Sequence, residues 1–467
     1  MTTMMSDLAA ELWSSVGGDH SLMDALTLKG PDSILPSAYG VTGLAGAAVS
    51  VACLAVADVS SLRSNTPVPR VEVDTRIACA AFMSEQLITP FGWKIPSLWD
   101  EIGGNYKAID GWIRVHTNYE NHRNAALKVL GAPPNRSAVG EAIAHWEAEA
   151  LEEAIVAAGG CAAAMRDARS WAAHPHGRFA VLEPAIALGN HVSALVDGSL
   201  RKPPKGGAGP LAGLRVLDVT RVIAGPVATR FLAAYGAQVL RIDPPGFSEF
   251  AAVLPFLTTG KRCAPLDLRS QQGRRTFEHL VADAHVLVHG LRPGAMAGLS
   301  YGPEELMRLN PSLIIATHDA YGWTGPWAGR RGFDSLVQMS CGIAAEGARQ
   351  VKMEQPFPLP AQALDYATGY LLAAAICERI AQHMRTSAIA SINASLVGVA
   401  NLLMRMPQSI VSGSLAPWPS DAFEELSTLW GRVRAVRCPG TISGIAPMWS
   451  IPAGPICRHS PRWAPAA

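Results

Sequence analysis

The 467-residue chain has no surplus of charge of either sign, with 39 Lys+Arg against 38 Asp+Glu and a formal net charge of +1. No global field draws it to nucleic acid or an anionic membrane, so an anionic ligand must be held by local groups. Cys-x-x-Cys pairs are missing, and the eight cysteines, at 53, 79, 161, 263, 341, 377, 438 and 457, form no Cys/His cluster with zinc-ligand spacing. They read as scattered thiols in a reducing, cytoplasmic setting, with no metal or redox cofactor called for. The stretch Met1 to Trp13 carries Asp7 and Glu11 and lacks the basic-then-apolar order of a secretory leader.

Phosphate-loop signatures are missing too. No Gly-x-Gly-x-x-Gly follows the strand that ends at Thr220, and Gly-x-x-x-x-Gly-Lys-Ser/Thr does not occur, which disfavours the usual dinucleotide and nucleotide-hydrolase sites. One Gly-x-Ser-x-Gly match exists, Gly298-Leu-Ser-Tyr-Gly302. It starts well past the nearest strand rather than at its tip, so Ser300 reads as a loop serine.

What is present is an enzyme-like composition: 49% hydrophobic and 16% charged residues, enough for sizeable cores in two or three domains. Ala38 to Ala57 is a charge-free run of about bilayer-spanning length. Its Ala, Gly, Val and Ser content, with Leu44 and Leu54 its only leucines and no flanking Lys/Arg cluster, favours a buried helix over a membrane anchor. The Pro, Gly and Lys of Arg201 to Pro210 read as a linker. We divide the chain into 1–205, 206–405 and a Pro-rich, extended tail over 406–467.

Between 206 and 405 strands and helices alternate. Strands over 214–220, 238–243, 285–289 and 312–317 are separated by helical patterns over 224–234, 271–282 and 303–309. That spacing predicts α/β architecture: a doubly wound parallel-sheet, Rossmann-like domain. The amino-terminal region predicts a smaller α+β domain, with helices at 38–57, 77–87 and 137–158 and a strand from Asp110 to His116. A faint internal echo links Tyr39-Gly-Val-Thr-Gly to Asp365-Tyr-Ala-Thr-Gly, each opening a small-residue helix and followed about 30 residues on by Val71-Glu-Val-Asp-Thr or Ile392-Asn-Ala-Ser-Leu. In that alignment Tyr39 stands where the second copy has Asp365.

Loops at the carboxyl ends of parallel strands are where such sheets bind ligands. Three carry suitable groups: Arg221-Val-Ile-Ala-Gly-Pro226, where glycine admits a ligand to the backbone beside a helix start, Gly260-Lys261-Arg262, and His289-Gly-Leu-Arg-Pro-Gly294. On a neutral protein their joint message is a phosphate-bearing ligand. His116, His122, His145, His174 and His176 show no ligand motif and read as surface or packing residues. Trp93, Trp99, Trp112, Trp323 and Trp327 read as core or interface.

Taken in order, Leu214-Arg-Val-Leu-Asp-Val-Thr220 with Ala224-Gly-Pro226, Tyr235 to Asp243, Lys261-Arg262 with Leu266-Asp-Leu268, Leu291-Arg-Pro-Gly294, Leu309-Asn-Pro311, Tyr321-Gly322, Gly332-Phe-Asp334 and Asp365 carry a specific resemblance. Residues 213–385 resemble the family III CoA-transferases, the group of formyl-CoA transferase, carnitine CoA-transferase and α-methylacyl-CoA racemase. Val71 to Thr75, Asn105 to Ile113 and Trp171 to Pro175 resemble segments that ordinarily follow the family's catalytic helix, so the segment order is expected to be permuted.

The resemblance implies that Asp365 is the nucleophile. It would transfer coenzyme A between an acyl-CoA thioester and a carboxylic acid through a mixed aspartyl anhydride and an aspartyl-CoA thioester. The helix dipole is expected to keep Asp365 ionised. The resemblance places Val222, Ala224, Gly225, Lys261, Arg262, Leu291, Arg292 and Arg331 at the CoA groove, with acyl-CoA and a free acid as partners, no membrane, and a homodimer. Gly290, Leu291 and Gly298 depart from the family pattern at the groove. Phe333 stands where the racemases carry a histidine, so transfer is preferred over α-proton exchange. An isomerase or lyase on the same groove, and an inactive acyl-CoA-binding protein, are the rival readings.

Overall fold

In the computed structural model, residues 3–189, 191–192, 209–386, 388–406, 415 and 417–465 are described. In chain order the elements used below are α1 (Thr3–Ser15), β1 (Leu26–Lys29), α2 (Val41–Ser64), β2 (Val71–Asp74), α3 (Thr75–Ala81), β3 (Thr89–Pro90), β4 (Gly104–Lys107), β5 (Trp112–Val115), α4 (Glu120–Leu130), α5 (Arg136–Ile143), α6 (Ala148–Ala157), β6 (Ala162–Ala164) and β7 (Ile186–Leu188). There follow β8 (Arg215–Val219), α7 (Ala224–Ala234), β9 (Gln238–Asp243), β10 (Lys261–Pro265), α8 (Gln271–Asp283), β11 (Val286–His289), α9 (Pro303–Leu309), β12 (Ile314–Asp319), α10 (Asp334–Ser340), α11 (Ala363–Thr386), β13 (Ile392–Ser395), α12 (Leu396–Arg405), β14 (Phe423–Thr428), β15 (Gly431–Val436) and β16 (Thr441–Ile442).

The alternation of apolar strands and helices yields the α/β architecture expected of it. Seven strands form one sheet in the order β10-β9-β8-β11-β12-β13-β7, parallel except at the last pair, where β7 runs antiparallel to β13. Because β7 comes from the amino-terminal region, the division near 205 does not separate two independent bodies. Residues 201–208 of the expected linker lie outside the described residues.

One basic loop turns out to be a strand. Gly260-Lys261-Arg262 opens β10, whose Lys261 pairs in register with Val239 of β9. The tail also differs from its expectation of extended chain. β14 and β15 form a hairpin over the two-residue turn Leu429-Trp430, β15 adds β3, and β16 adds to β2. The alternating Gly431-Arg-Val-Arg-Ala-Val436 is the sequence signal for that strand, with Val433 and Ala435 buried and Arg432 and Arg434 exposed.

The charge-free run becomes α2, which is buried along nearly its whole length against α1 and α11. By length and composition it is the one helix among the described residues able to cross a membrane, and here every side of that stretch is covered by protein. α2 and α11 repeat one plan. Each has 24 residues, each is followed by a four-residue strand that pairs in parallel with an earlier one, and a helix starts at the next residue. The echoed Thr-Gly pair sits one turn deeper in α11 than in α2. Asp365 therefore lies inside the first turn of α11, whereas Tyr39 precedes α2.

The smaller layer is the sheet β4-β5-β6 backed by α4, α5 and α6. The expected helix over 137–158 is two, broken at 144–147. Along β5, Ile113 and Val115 enter this layer's own core, so period 2 puts Trp112, Arg114 and the following His116 on the opposite face, against α10.

Candidate active site

Asp365 stands in the first turn of α11, reached through a Pro-rich approach containing Pro356, Pro358 and Pro360. Two hydrogen bonds fix that approach to α10: Leu359 N donates to Gln338 Oε1 at 2.8 Å, and Asp365 N donates to Asp334 Oδ2 at 2.9 Å. Asp334 thus satisfies a free N–H of the α11 start. Among the described residues, nothing donates to the Asp365 carboxylate itself.

Glycine sets the remaining wall. A Cβ on Gly369, one turn after Asp365, would lie 2.6 Å from the Ala224 carbonyl oxygen and 2.9 Å from Val227. Only glycine lets α7 approach α11 closely enough to bring the Val222-Ile223-Ala224 turn beside Asp365. Val222 itself has φ +64°, a conformation that costs a β-branched residue about 1–3 kcal/mol, and its N–H donates to Glu249 Oε2 at 3.3 Å.

Asp365 lies where two cavities meet. The outer groove, about 570 Å³, is lined by Arg221, Arg292, Arg330 and Arg331, the Val222–Ala224 turn, Leu291, Tyr119, His122 and His318. Arg330 is tied to Glu152 at 2.7 Å and Arg221 to Asp243 at 3.2 Å. Arg292 and Arg331 are exposed and have no ion-pair partner among the described residues. The inner chamber, about 240 Å³, takes one wall from Val222, Phe250, Phe333 and Asp334 and the other from Glu85, Trp99, His116 and Asn118 of the amino-terminal half.

The electrostatics of the inner chamber overturn one expectation. Burial, then the neighbouring Asp334 and Glu85 charges, push the Asp365 carboxyl well above the carboxylate range. A helix N-terminus is worth about 0.3–1 kcal/mol to a carboxylate. Full burial shifts a pKa by up to 3–5 units at 1.36 kcal/mol each, so the dipole loses. Asp334 is raised to about 6 by burial against the hydrogen bonds it accepts. Glu85 is raised by burial, while the Tyr366 hydroxyl that donates to it lowers it.

Of the residues expected at the CoA groove, Val222, Ala224, Leu291, Arg292 and Arg331 line the outer cavity with Asp365, and Gly225 lies directly behind, packed on Thr220 and His318. Lys261 and Arg262 do not line it. Lys261 is fully buried, donating to Asp218 Oδ2 and the Pro226 carbonyl, both at 3.0 Å, because a buried lysine needs a counter-charge and β8 supplies one. Arg262 follows it on the edge strand, away from both cavities.

Sequence reasoning passed over Glu85 and Trp99 as site groups, and read His116 as packing. His116 is buried with its ring stacked on Phe333, centroids 3.6 Å apart, and burial keeps it neutral. Among the described residues no three His, Cys, Asp or Glu side chains converge as a metal site requires.

The fold and site define a doubly wound α/β protein with a buried carboxyl between a basic groove and an inner chamber. Residues 211–414, which supply six of the seven sheet strands and the Asp365 helix, match the model of CoA-transferase family III. The chain is 34% identical over 177 residues to acetyl-coenzyme A transferase nodX of Hypoxylon pulicicidum, covering 37% of this chain and 30% of that one. It is 36% identical over 146 residues to the acetyl-CoA:oxalate CoA-transferase of Acetobacter aceti, covering 29% and 38%. The chain thus spans well under half the length of either relative. A crystal structure of a CAIB/BAIF family protein from Brucella suis superposes with a TM-score of 0.38 at 25% identity, over 48% of this chain and 65% of that one.

Proposed function

We propose that this protein transfers coenzyme A between an acyl-CoA thioester and a carboxylic acid, with Asp365 as the nucleophile. The observation that carries the reading is the position of Asp365 at the junction of the arginine-lined groove and the inner chamber. CoA phosphates fit the free Arg292 and Arg331, the pantetheine passes the Val222–Ala224 turn, and the acyl group enters the chamber.

In this reading an ionised Asp365 oxygen attacks the thioester carbonyl, forming the mixed anhydride and releasing the CoA thiolate. The thiolate attacks the Asp365 carbonyl carbon, forming the aspartyl-CoA thioester and freeing the donor acid. The acceptor carboxylate reverses both steps on itself. The chamber walls of Phe250 and Phe333 limit water, which would hydrolyse the anhydride. Both walls come from one chain, so the reading needs no second copy to complete the chamber. A panel of acyl-CoAs followed by hydroxylamine and peptide mass spectrometry tests it. A hydroxamate on Asp365 is the expected product, and a hydroxamate elsewhere or none overturns the assignment.

One observation favours α-proton exchange as a second reading. Phe333 occupies the place of the racemase histidine, but His116 stacks on its ring and lines the chamber with Asp365, restoring an acid/base group from another strand. Deuterium entering the α-carbon of an acyl-CoA without any acceptor acid distinguishes it.

A further inference from the structure

The segment that follows β5 serves both cavities. His116 and Asn118 face the inner chamber, and Tyr119, the residue before α4, faces the outer groove. The Tyr119 ring lies among Phe247, Phe250 and Phe333 of the sheet half, with centroids 6.0, 5.3 and 6.3 Å away. Its hydroxyl donates to Glu249 Oε1 at 2.5 Å, an oxygen that Phe250 N also reaches at 3.3 Å. Burial, then the Glu249 charge, push that hydroxyl well above the usual tyrosine range, so it stays protonated and able to donate.

Glu249 is buried, and its second oxygen has a different task. Oε2 accepts from Val222 N at 3.3 Å and from Arg241 Nη2 at 3.1 Å. Arg241 has a carboxylate without it, since Asp243 takes its Nε and Nη2 at 3.0 and 3.1 Å. Val222 carries the left-handed φ of +64° that a β-branched residue adopts only under constraint. A hydrogen bond to a charged acceptor is worth about as much as that conformation costs, so the Glu249 bond can hold it. At 3.3 Å the bond is long, and a small rotation of the carboxylate breaks it. On its other side the plane of that carboxylate is fixed by Tyr119, which belongs to the amino-terminal half.

We propose that Glu249 is a positioning residue for acyl-CoA: it holds the Val222–Ala224 turn in the shape that borders Asp365 and, through Tyr119, makes that shape depend on the amino-terminal layer being seated over the groove. The inference rests on the CoA-transfer reading and adds to it the device that sets the turn. Glu249 lines neither cavity, so it acts on the ligand through Val222.

The probe is coenzyme A, titrated by calorimetry, with turnover of an acyl-CoA that labels Asp365 measured beside it. Glu249→Leu should weaken coenzyme A binding and raise the acyl-CoA KM about 10-fold, with kcat within about threefold, because a saturating ligand restores the turn. Tyr119→Phe, which removes one hydroxyl, should give a smaller loss of the same kind. Adding it to Glu249→Leu should cost nothing further, since both act through one carboxylate. In a Val222→Gly background, where a positive φ carries no Cβ penalty, the Glu249→Leu loss should shrink to about threefold or less. Should Glu249→Leu fail to fold, Tyr119→Phe with and without Val222→Gly carries the same comparison. A loss undiminished in that background, or one that falls on kcat and spares KM, overturns the assignment while leaving the Asp365 chemistry standing. If coenzyme A does not bind and no Asp365 hydroxamate forms, the parent reading has failed, and hydrogen exchange decides the turn by itself. Exchange of the Val222 amide at least about tenfold faster in Tyr119→Phe than in the wild type supports the coupling, and an unchanged rate overturns it.

Discussion

Two buried aspartates of this chain are treated in opposite ways. Asp218 on β8 accepts from Thr220 N at 2.9 Å, from the Thr220 and Thr229 hydroxyls at 2.5 and 2.6 Å, and from Lys261 at 3.0 Å. Burial would raise it, but Lys261, Arg241 and the hydroxyls outweigh burial and hold it below the usual range. Asp365 is buried beside Asp334 and Glu85 with no cation on its carboxylate, and is pushed up. A carboxylate with four donors stabilises a fold but has no lone pair to offer. One left without donors costs stability and keeps its reactivity.

The largest expected effect breaks the unpaired member. On the proposed mechanism Asp365→Asn should abolish acyl transfer, by at least about 10³-fold, because an amide at that place cannot form the anhydride. The same variant should be more stable. A folded-state pKa above the unfolded value means the unfolded chain holds fewer protons between the two, so the wild-type carboxyl destabilises progressively as pH rises from about 4. The melting-temperature gain of the variant should therefore be absent near pH 4 and grow toward neutrality.

Breaking the paired member should do the reverse. Lys261→Met leaves Asp218 buried without its counter-charge, at a cost of about 3–5 kcal/mol in chemical denaturation. The depressed Asp218 contributes stability above its unfolded pKa that is lost on acidification, so this deficit should shrink as pH falls below about 4.

The contrast also explains what could be read from residue order. The helix start that carries Asp365 was legible because Ala-Leu-Asp-Tyr-Ala-Thr-Gly is a local signal, and the strand-helix alternation made the sheet legible for the same reason. Lys261 was misread because Gly-Lys-Arg resembles a ligand loop, and its true partner, Asp218, is 43 residues away in another strand. The dipole argument for Asp365 failed because burial, and then the charges of Asp334 and Glu85 from other elements, outweigh the helix start. One local signal was available and unused. In Trp112-Ile-Arg-Val-His116, isoleucine and valine mark the core face, so tryptophan, arginine and histidine must share the face that covers the site.

A third, smaller effect tests the geometry between the two aspartates. Gly369→Ala drives a methyl against the Ala224 carbonyl and Val227, so α7 must shift, at about 1–3 kcal/mol of overpacking. Because α7 carries the Val222–Ala224 turn at its start, kcat/KM for acyl-CoA should fall with it, whereas a surface methyl would leave both unchanged. Retained stability and retained kcat/KM together would mean that this close approach does not build the site.

The smallest effect sharpens the electrostatic side. The Tyr366 hydroxyl donates to Glu85 and favours its charged form, and that charge is one of the two that raise Asp365. Tyr366→Phe should raise the Glu85 pKa, discharge it over more of the pH range, and so lower the Asp365 pKa. Transfer requires the ionised nucleophile, so the wild-type rate should climb with pH on its acid side, and in Tyr366→Phe that limb should move toward lower pH. The lost hydrogen bond costs about 1–3 kcal/mol of stability at a charged acceptor. A variant less stable but faster at acidic pH has the signature of like-charge crowding around Asp365. If the limb stays in place, Glu85 does not set the Asp365 proton, and burial with Asp334 is sufficient.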